Sequence, residues 1–194
     1  PESLSSCASV SETAKVNPGK KPPQIIDVEY DPDFIKADVV DVFSDGSVPP
    51  FVTGVYEQSG TIGVTQVDEP GRGEVTQISY DTDQGVAYWQ GPQGFDFSRF
   101  QFVEFEIKRV ADTRPNAKLT MKMDCFYPCG TGDIPLELAP VGEWKAYRFR
   151  LSDLVKYPGS SLDLSNVNTP LVLFPEWDNQ KGVVIRVDNV RFTR

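Results

Sequence analysis

The sequence predicts an all-β chain, folded as a two-sheet antiparallel β-sandwich of the jelly-roll type. About ten short strand-like segments are separated by Gly, Pro, Asn and Asp clusters. No segment carries a convincing apolar stripe at helical spacing. Gly 15 and Pro 16 in 194 residues supply the many turns such a sandwich needs.

Taken in order, residues 1–24 read as a linker from a preceding domain. Ser, Thr, Lys and Pro dominate there. Asn17-Pro18-Gly19-Lys20-Lys21-Pro22-Pro23 cannot form a helix or a central strand. Residues 25–194 read as a single module. Residues 25–30 are an edge strand or an extended leader, and 31–33 turn. Residues 39–43 are a strand ended by Ser44-Asp45-Gly46. Pro49-Pro50 breaks the chain. Residues 51–56 and 62–67 are two strands, the second closed by Asp68-Glu69-Pro70-Gly71. Residues 74–80 alternate, 81–85 form a turn cluster, and 86–90 are an aromatic strand. Residues 96–100 are a turn of helix or a loop.

Residues 102–110 alternate most clearly. Val103, Phe105 and Ile107 face one side, Glu104, Glu106 and Lys108 the other. Residues 144–151 place Tyr147, Phe149 and Leu151 inward and Arg148 and Arg150 outward, with Trp144 in the core. Segments 171–174, 183–187 and 190–192 complete the set.

Residues 119–129, Leu-Thr-Met-Lys-Met-Asp-Cys-Phe-Tyr-Pro-Cys, organise the rest. As a strand they send Leu119, Met121 and Met123 into a core. Thr120, Lys122 and Asp124 face the other way, about 7 Å apart. A hydroxyl, an ammonium and a carboxylate on one face suit a saccharide. Cys125 and Cys129 bracket two aromatic rings and have no second Cys pair or His nearby. They read as a disulfide closing a short loop, which implies an oxidising compartment, secreted or periplasmic. Cys7 is left to pair within a preceding domain.

Composition narrows the function. A net charge of −9 lacks the basic footprint of a nucleic-acid or anionic-membrane partner. No apolar run is long enough to span a bilayer. Histidine is absent, which removes the commonest general base and the usual nucleophile pairs. The opening Pro-Glu-Ser-Leu reads as a start inside a longer protein, with any export signal upstream.

Sugar rings pack their C–H faces on aromatic planes, so exposed rings are candidate contacts. Trp177 sits in a polar loop and is the first of these. Tyr88 and Trp89 point to opposite faces; one is core, and the sequence does not say which. Tyr127 either contacts ligand or packs on the disulfide. Gln90, Glu106, Thr120, Lys122 and Asp124 are the candidate hydrogen-bond partners. Glu104 and Glu106 share a face, as two glycosidase acids can, but read better as a solvated or saccharide-facing surface. Asp41, Asp45 and Asp188 lie on or beside the first and last strands. They are either ligands of a structural Ca²⁺ or ordinary turn residues.

Three segments, Met-Lys-Met-Asp-Cys125-Phe-Tyr-Pro-Cys129-Gly, Gly142-Glu-Trp144-Lys-Ala-Tyr-Arg-Phe-Arg-Leu151 and Leu162-Asp-Leu-Ser-Asn-Val-Asn-Thr-Pro-Leu171, form an ordered set. The set resembles the C-terminal module of marine bacterial exo-β-glucanases, a galactose-binding-like jelly roll akin to family 11 carbohydrate-binding modules. The resemblance covers roughly residues 95–194 and includes the closing Val187-Asp188-Asn189-Val190-Arg191-Phe192. It implies a non-catalytic module that binds a β-glucan, laminarin or mixed-linkage, and targets a covalently attached polysaccharide-degrading enzyme; the module is expected to be a monomer. The rivals are a lyase or hydrolase on the same sandwich, and a structural interdomain spacer.

Overall fold

A computed structural model describes residues 29–194. The expected linker, the module boundary at residue 25 and Cys7 lie outside the described residues.

Among the described residues nine strands and one short α-helix follow in order, besides two 3-10 turns: β1 (Val39–Phe43), β2 (Val52–Glu69), β3 (Gly73–Gln90), β4 (Phe102–Ala111), β5 (Leu119–Asp124), β6 (Ile134–Leu136), β7 (Trp144–Arg150), α1 (Leu151–Val155), β8 (Thr169–Pro175) and β9 (Val183–Thr193). Neighbours run β6-β5-β8-β3-β9-β4-β7, with β2 on β3 and β1 on β9. Every pairing is antiparallel. The sheet curls over itself into the two layers of a β-sandwich.

The β2–β3 hairpin makes the curl. The first half of β3 pairs with β9, Thr76 opposite Val187 through Tyr80 opposite Val183. Its second half pairs with β8, Ala87 opposite Leu173 through Trp89 opposite Leu171. One strand therefore belongs to both layers. This corrects the expected division into four short strands. The turn-like residues 57–60 and 81–85 lie opposite each other, and the ladder crosses them through bulges at Glu57/Ser59 and Ser59/Gly60. Gly60 has φ +82°, and a Cβ there would overlap the Asp81 carbonyl. The glycine lets the hairpin bend without breaking.

The core between the layers follows the alternation read from sequence. Leu119, Met121 and Met123 of β5 are fully buried, as are Val103 and, within a per cent or two, Phe105 and Ile107 of β4. Phe97 and Phe192 stack with centroids 4.0 Å apart. Two local expectations fail. Leu151 starts α1 instead of ending β7, burying Leu151 and Leu154 on one side of a single turn. Trp144 is only half-buried and lies under the Arg72 guanidinium, 4.1 Å from it, at the outer surface.

Candidate functional site

The outward face of the β2/β3/β8/β5 layer holds a groove of about 720 Å³. Strand register builds its floor. Gly54, Tyr88, Val172 and Lys122 form one row across β2, β3, β8 and β5. Tyr56 and Val86 stand opposite each other in the next row, as do Phe174 and Thr120. The Tyr88 ring lies over Gly54. A Cβ on Gly54 would sit 2.5 Å from Tyr88 Cε2 and 2.7 Å from Cζ. The missing side chain is what lets the ring lie down on the sheet.

The β5 wall carries the charge. Asp124 is 8% exposed. Its Oδ1 has no hydrogen-bond partner among the described residues. Lys122 Nζ stands 3.5 Å away, close enough for ion pairing but too far for a strong hydrogen bond. Burial pushes the Asp124 carboxyl above the usual aspartate range, with Lys122 opposing. The wall thus offers a largely buried carboxylate beside an ammonium. Gln90, on the Tyr88 face of β3, donates Nε2–H to Thr169 Oγ1 at 3.3 Å.

Two loops raise the rims. At one, the Cys125–Cys129 disulfide closes the corner. The Phe126 N–H donates to Asn168 Oδ1 at 2.6 Å, holding Phe126 at φ +64°. Tyr127 is left 79% exposed, its ring 5.1 Å from Lys122 Nζ. At the other rim, Trp177 is 41% exposed and rests on Phe174 with centroids 5.2 Å apart. Buried Gln180 anchors that loop, accepting from Gly85 N–H at 2.9 Å and donating to the Pro175 carbonyl at 3.0 Å. Asp178 adds a backbone bond to the Asp83 carbonyl at 2.8 Å.

The groove therefore gathers Trp177, Tyr88, Tyr127, Gln90, Lys122 and Asp124 from the sequence-level candidates. Others fall elsewhere. Trp89 is fully buried and edge-on to Phe43, because Ala87 and Trp89 share the core face of β3. Thr120 lies on the groove's sheet face but between β8 and β6, outside the lining.

Glu106 sits on the outer face of the opposite layer. Arg72, from the β2–β3 hairpin tip, grips it through two bonds, Nη1 to Oε2 at 2.6 Å and Nη2 to Oε1 at 3.1 Å. This pairing holds the Glu106 carboxyl below the usual range. Arg72 Nη1 also reaches Asp188 Oδ2 at 3.1 Å. Asp45 flanks the same small pocket, while Asp41 lies beside Arg191 on β1. Of the three expected calcium ligands, Asp45 and Asp188 thus line one small pocket, where Arg72 pairs with Asp188, and Asp41 lies apart from them. Among the described residues no group of three or more His, Cys, Asp or Glu side chains is placed to hold a metal ion.

Sequence reading missed Tyr56, Gln58, Asn168 and Thr169, all of which line the groove. Tyr56 enters through pairing opposite Val86, which needs the hairpin register. Gln58 follows it, donating Nε2–H to Tyr56 Oη at 3.0 Å.

Solved structures share this fold at low sequence identity. The family 11 carbohydrate-binding module of the cellulase Lic26A-Cel5E of Clostridium thermocellum is 22% identical, with a TM-score of 0.52 over 79% of this chain and 92% of that one. The exo-1,3/1,4-β-glucanase ExoP from a Pseudoalteromonas species is 10% identical, with a TM-score of 0.61 over 81% of this chain and 20% of that one. The extra C-terminal domain of ExoP, solved alone, is 11% identical, with a TM-score of 0.55 over 79% and 91%. No match was found among curated proteins. A family model described as galactose-binding domain-like matches residues 42–192. The chain belongs to that family, Exop_C.

Proposed function

We propose that the groove binds a neutral β-glucan chain, laminarin or mixed-linkage glucan, without altering it, and so holds an attached polysaccharide-degrading enzyme on its substrate. One observation carries the reading: the Tyr88 ring, laid over Gly54 on an apolar floor, shares one groove with the largely buried Asp124 carboxylate and its Lys122 partner. A pyranose offers an apolar C–H face to the ring and hydroxyl donors to Asp124. Lys122 and Gln90 supply donors for its oxygens. Trp177, Tyr127 and Tyr56 line the same groove, so several sugar units meet aromatic surface.

Carbohydrate-binding modules with this fold, and a glucanase that carries such a domain, agree with this reading. Catalysis has less support. The chain has no histidine. Glu104 and Glu106, the paired acids, are each tied to arginine. The disulfide suits an oxidising compartment, and no described helix is long and apolar enough to cross a membrane.

Affinity should be modest, about 10⁻⁵ M, because hydroxyls exchange water for protein at little net gain. Affinity electrophoresis through gels containing laminarin or mixed-linkage glucan tests this. Retardation by at least one is expected. Unchanged mobility in both contradicts the reading.

A further inference from the structure

The outer face of β4, β7 and β9 carries a feature the groove does not use. Register puts Arg150 beside Phe102, and Arg148 and Arg191 on either side of Glu104. The Arg148 guanidinium lies 3.6 Å from the centroid of the Phe102 ring, and that of Arg150 lies 5.2 Å from it. Glu104 grips Arg148 and Arg191 by Nε, each at 3.0 Å, through its two oxygens. Thr193 donates to Oε1 at 3.2 Å.

Both grips use the inner edge of the guanidinium. The terminal Nη groups of Arg148 and Arg191 have no partner among the described residues, and Arg150 forms no ion pair there. Asp41 lies opposite Arg191 on β1. Three cations thus share two carboxylates, a local positive surplus on a chain of net charge −9. A guanidinium pinned at Nε presents outward the Nη donors that recognise an oxyanion, and fixing it beforehand reduces the ordering cost.

We propose that this platform binds the oxyanion substituents, sulfate ester or carboxylate, of an acidic polysaccharide. Arg148 and Arg150 stand about 7 Å apart along β7, and Arg191 about 10 Å away across two strand spacings. An open, flat array of that size meets successive charges on an extended chain better than one small ion. The groove faces out from the other layer, so one module can touch a neutral chain on one side and a charged chain on the other. The protein's remaining negative charge is screened beyond about 8 Å at physiological salt, so the local arginines decide.

The test is affinity electrophoresis in dextran sulfate, polygalacturonate, neutral dextran and polyglutamate. Dextran sulfate or polygalacturonate should retard the wild type, and neutral dextran should not. Which of the two acts tells sulfate ester from carboxylate. Retardation should fall at least tenfold between 50 and 300 mM NaCl. A R148Q/R150Q/R191Q variant should lose it while keeping any laminarin binding, and Tyr88→Ala should keep it. Should the triple variant misfold, Arg150→Gln alone, which breaks no ion pair, should weaken retardation about threefold. Equal retardation of wild type and folded variants, or none in either acidic glycan, overturns the proposal. Retardation by polyglutamate equal to that by the glycans overturns the polysaccharide assignment.

Discussion

Tyr88 is seated on Gly54, its cross-strand partner. Two of its ring carbons and its hydroxyl oxygen lie 2.5–2.8 Å from where a Gly54 Cβ would be. The groove's central ring therefore owes its position to a missing side chain on the neighbouring strand.

Gly54→Ala should lift that ring while leaving the ligand's other contacts in place. The expected result is a roughly 3–10-fold loss of glucan affinity, about 1 kcal/mol, with little change in Tm. Calorimetric titration beside thermal unfolding checks it. Unchanged affinity in a folded variant would separate Tyr88 from the binding surface.

Asp124 should make glucan binding pH-dependent. Burial holds its pKa above the ordinary aspartate value, and a carboxylate accepts hydrogen bonds most strongly when ionised. Acidification should therefore weaken glucan binding at a higher pH than an ordinary aspartate would dictate. Asp124→Asn keeps an amide oxygen acceptor but does not titrate. Its affinity should stay flat between about pH 4 and 7. The same acid-side loss in that variant would assign the effect to another group.

Arg72 clamps the hairpin tip to β4 and β9. Its partners Glu106 and Asp188 have side chains only 24% and 5% exposed. Arg72→Met should cost about 2 kcal/mol by leaving two carboxylates facing each other, read as a lower Tm, and leave glucan binding unchanged. An undisturbed Tm would mean solvent already screens the cluster.

Glu106 and buried Glu69 both titrate below the usual glutamate range. Arg72 is the chief cause for Glu106. For Glu69 it is the Lys108 hydrogen bond, followed by Arg186. A carboxylate whose folded pKa is lowered contributes stability above its unfolded pKa and loses it as pH falls through the folded value. The wild type should therefore hold its Tm near neutral pH and lose it progressively below about pH 4.5. Arg72→Met should show a shallower loss. Parallel Tm profiles for the two proteins would remove Glu106 from the account.

Much of this was legible in the chain. The β5 alternation put Met121 and Met123 on the core face and Lys122 and Asp124 on the groove face because a strand's faces follow parity alone. That Tyr88 and Trp89 take opposite faces was legible too, but not which is core; the structure puts Tyr88 with Gln90 in the groove and Trp89 with Ala87 in the core. What could not be read was long-range register. Tyr56 joins the groove because a hairpin runs through residues that look like turns, and Arg72 reaches Glu106 from the tip of that same hairpin. Glu106 and Lys122 look alike as outward polar residues in a strand. Only the curl of the sheet puts them on opposite faces of the molecule.

The most direct measurement is calorimetric titration of wild type and Tyr88→Ala with laminari- and mixed-linkage glucan hexasaccharides. The account predicts saturable binding of at least one sugar near 10⁻⁵ M by the wild type, weakened about tenfold or more in the variant. No heat from either sugar, or equal affinity in the two proteins, would contradict it.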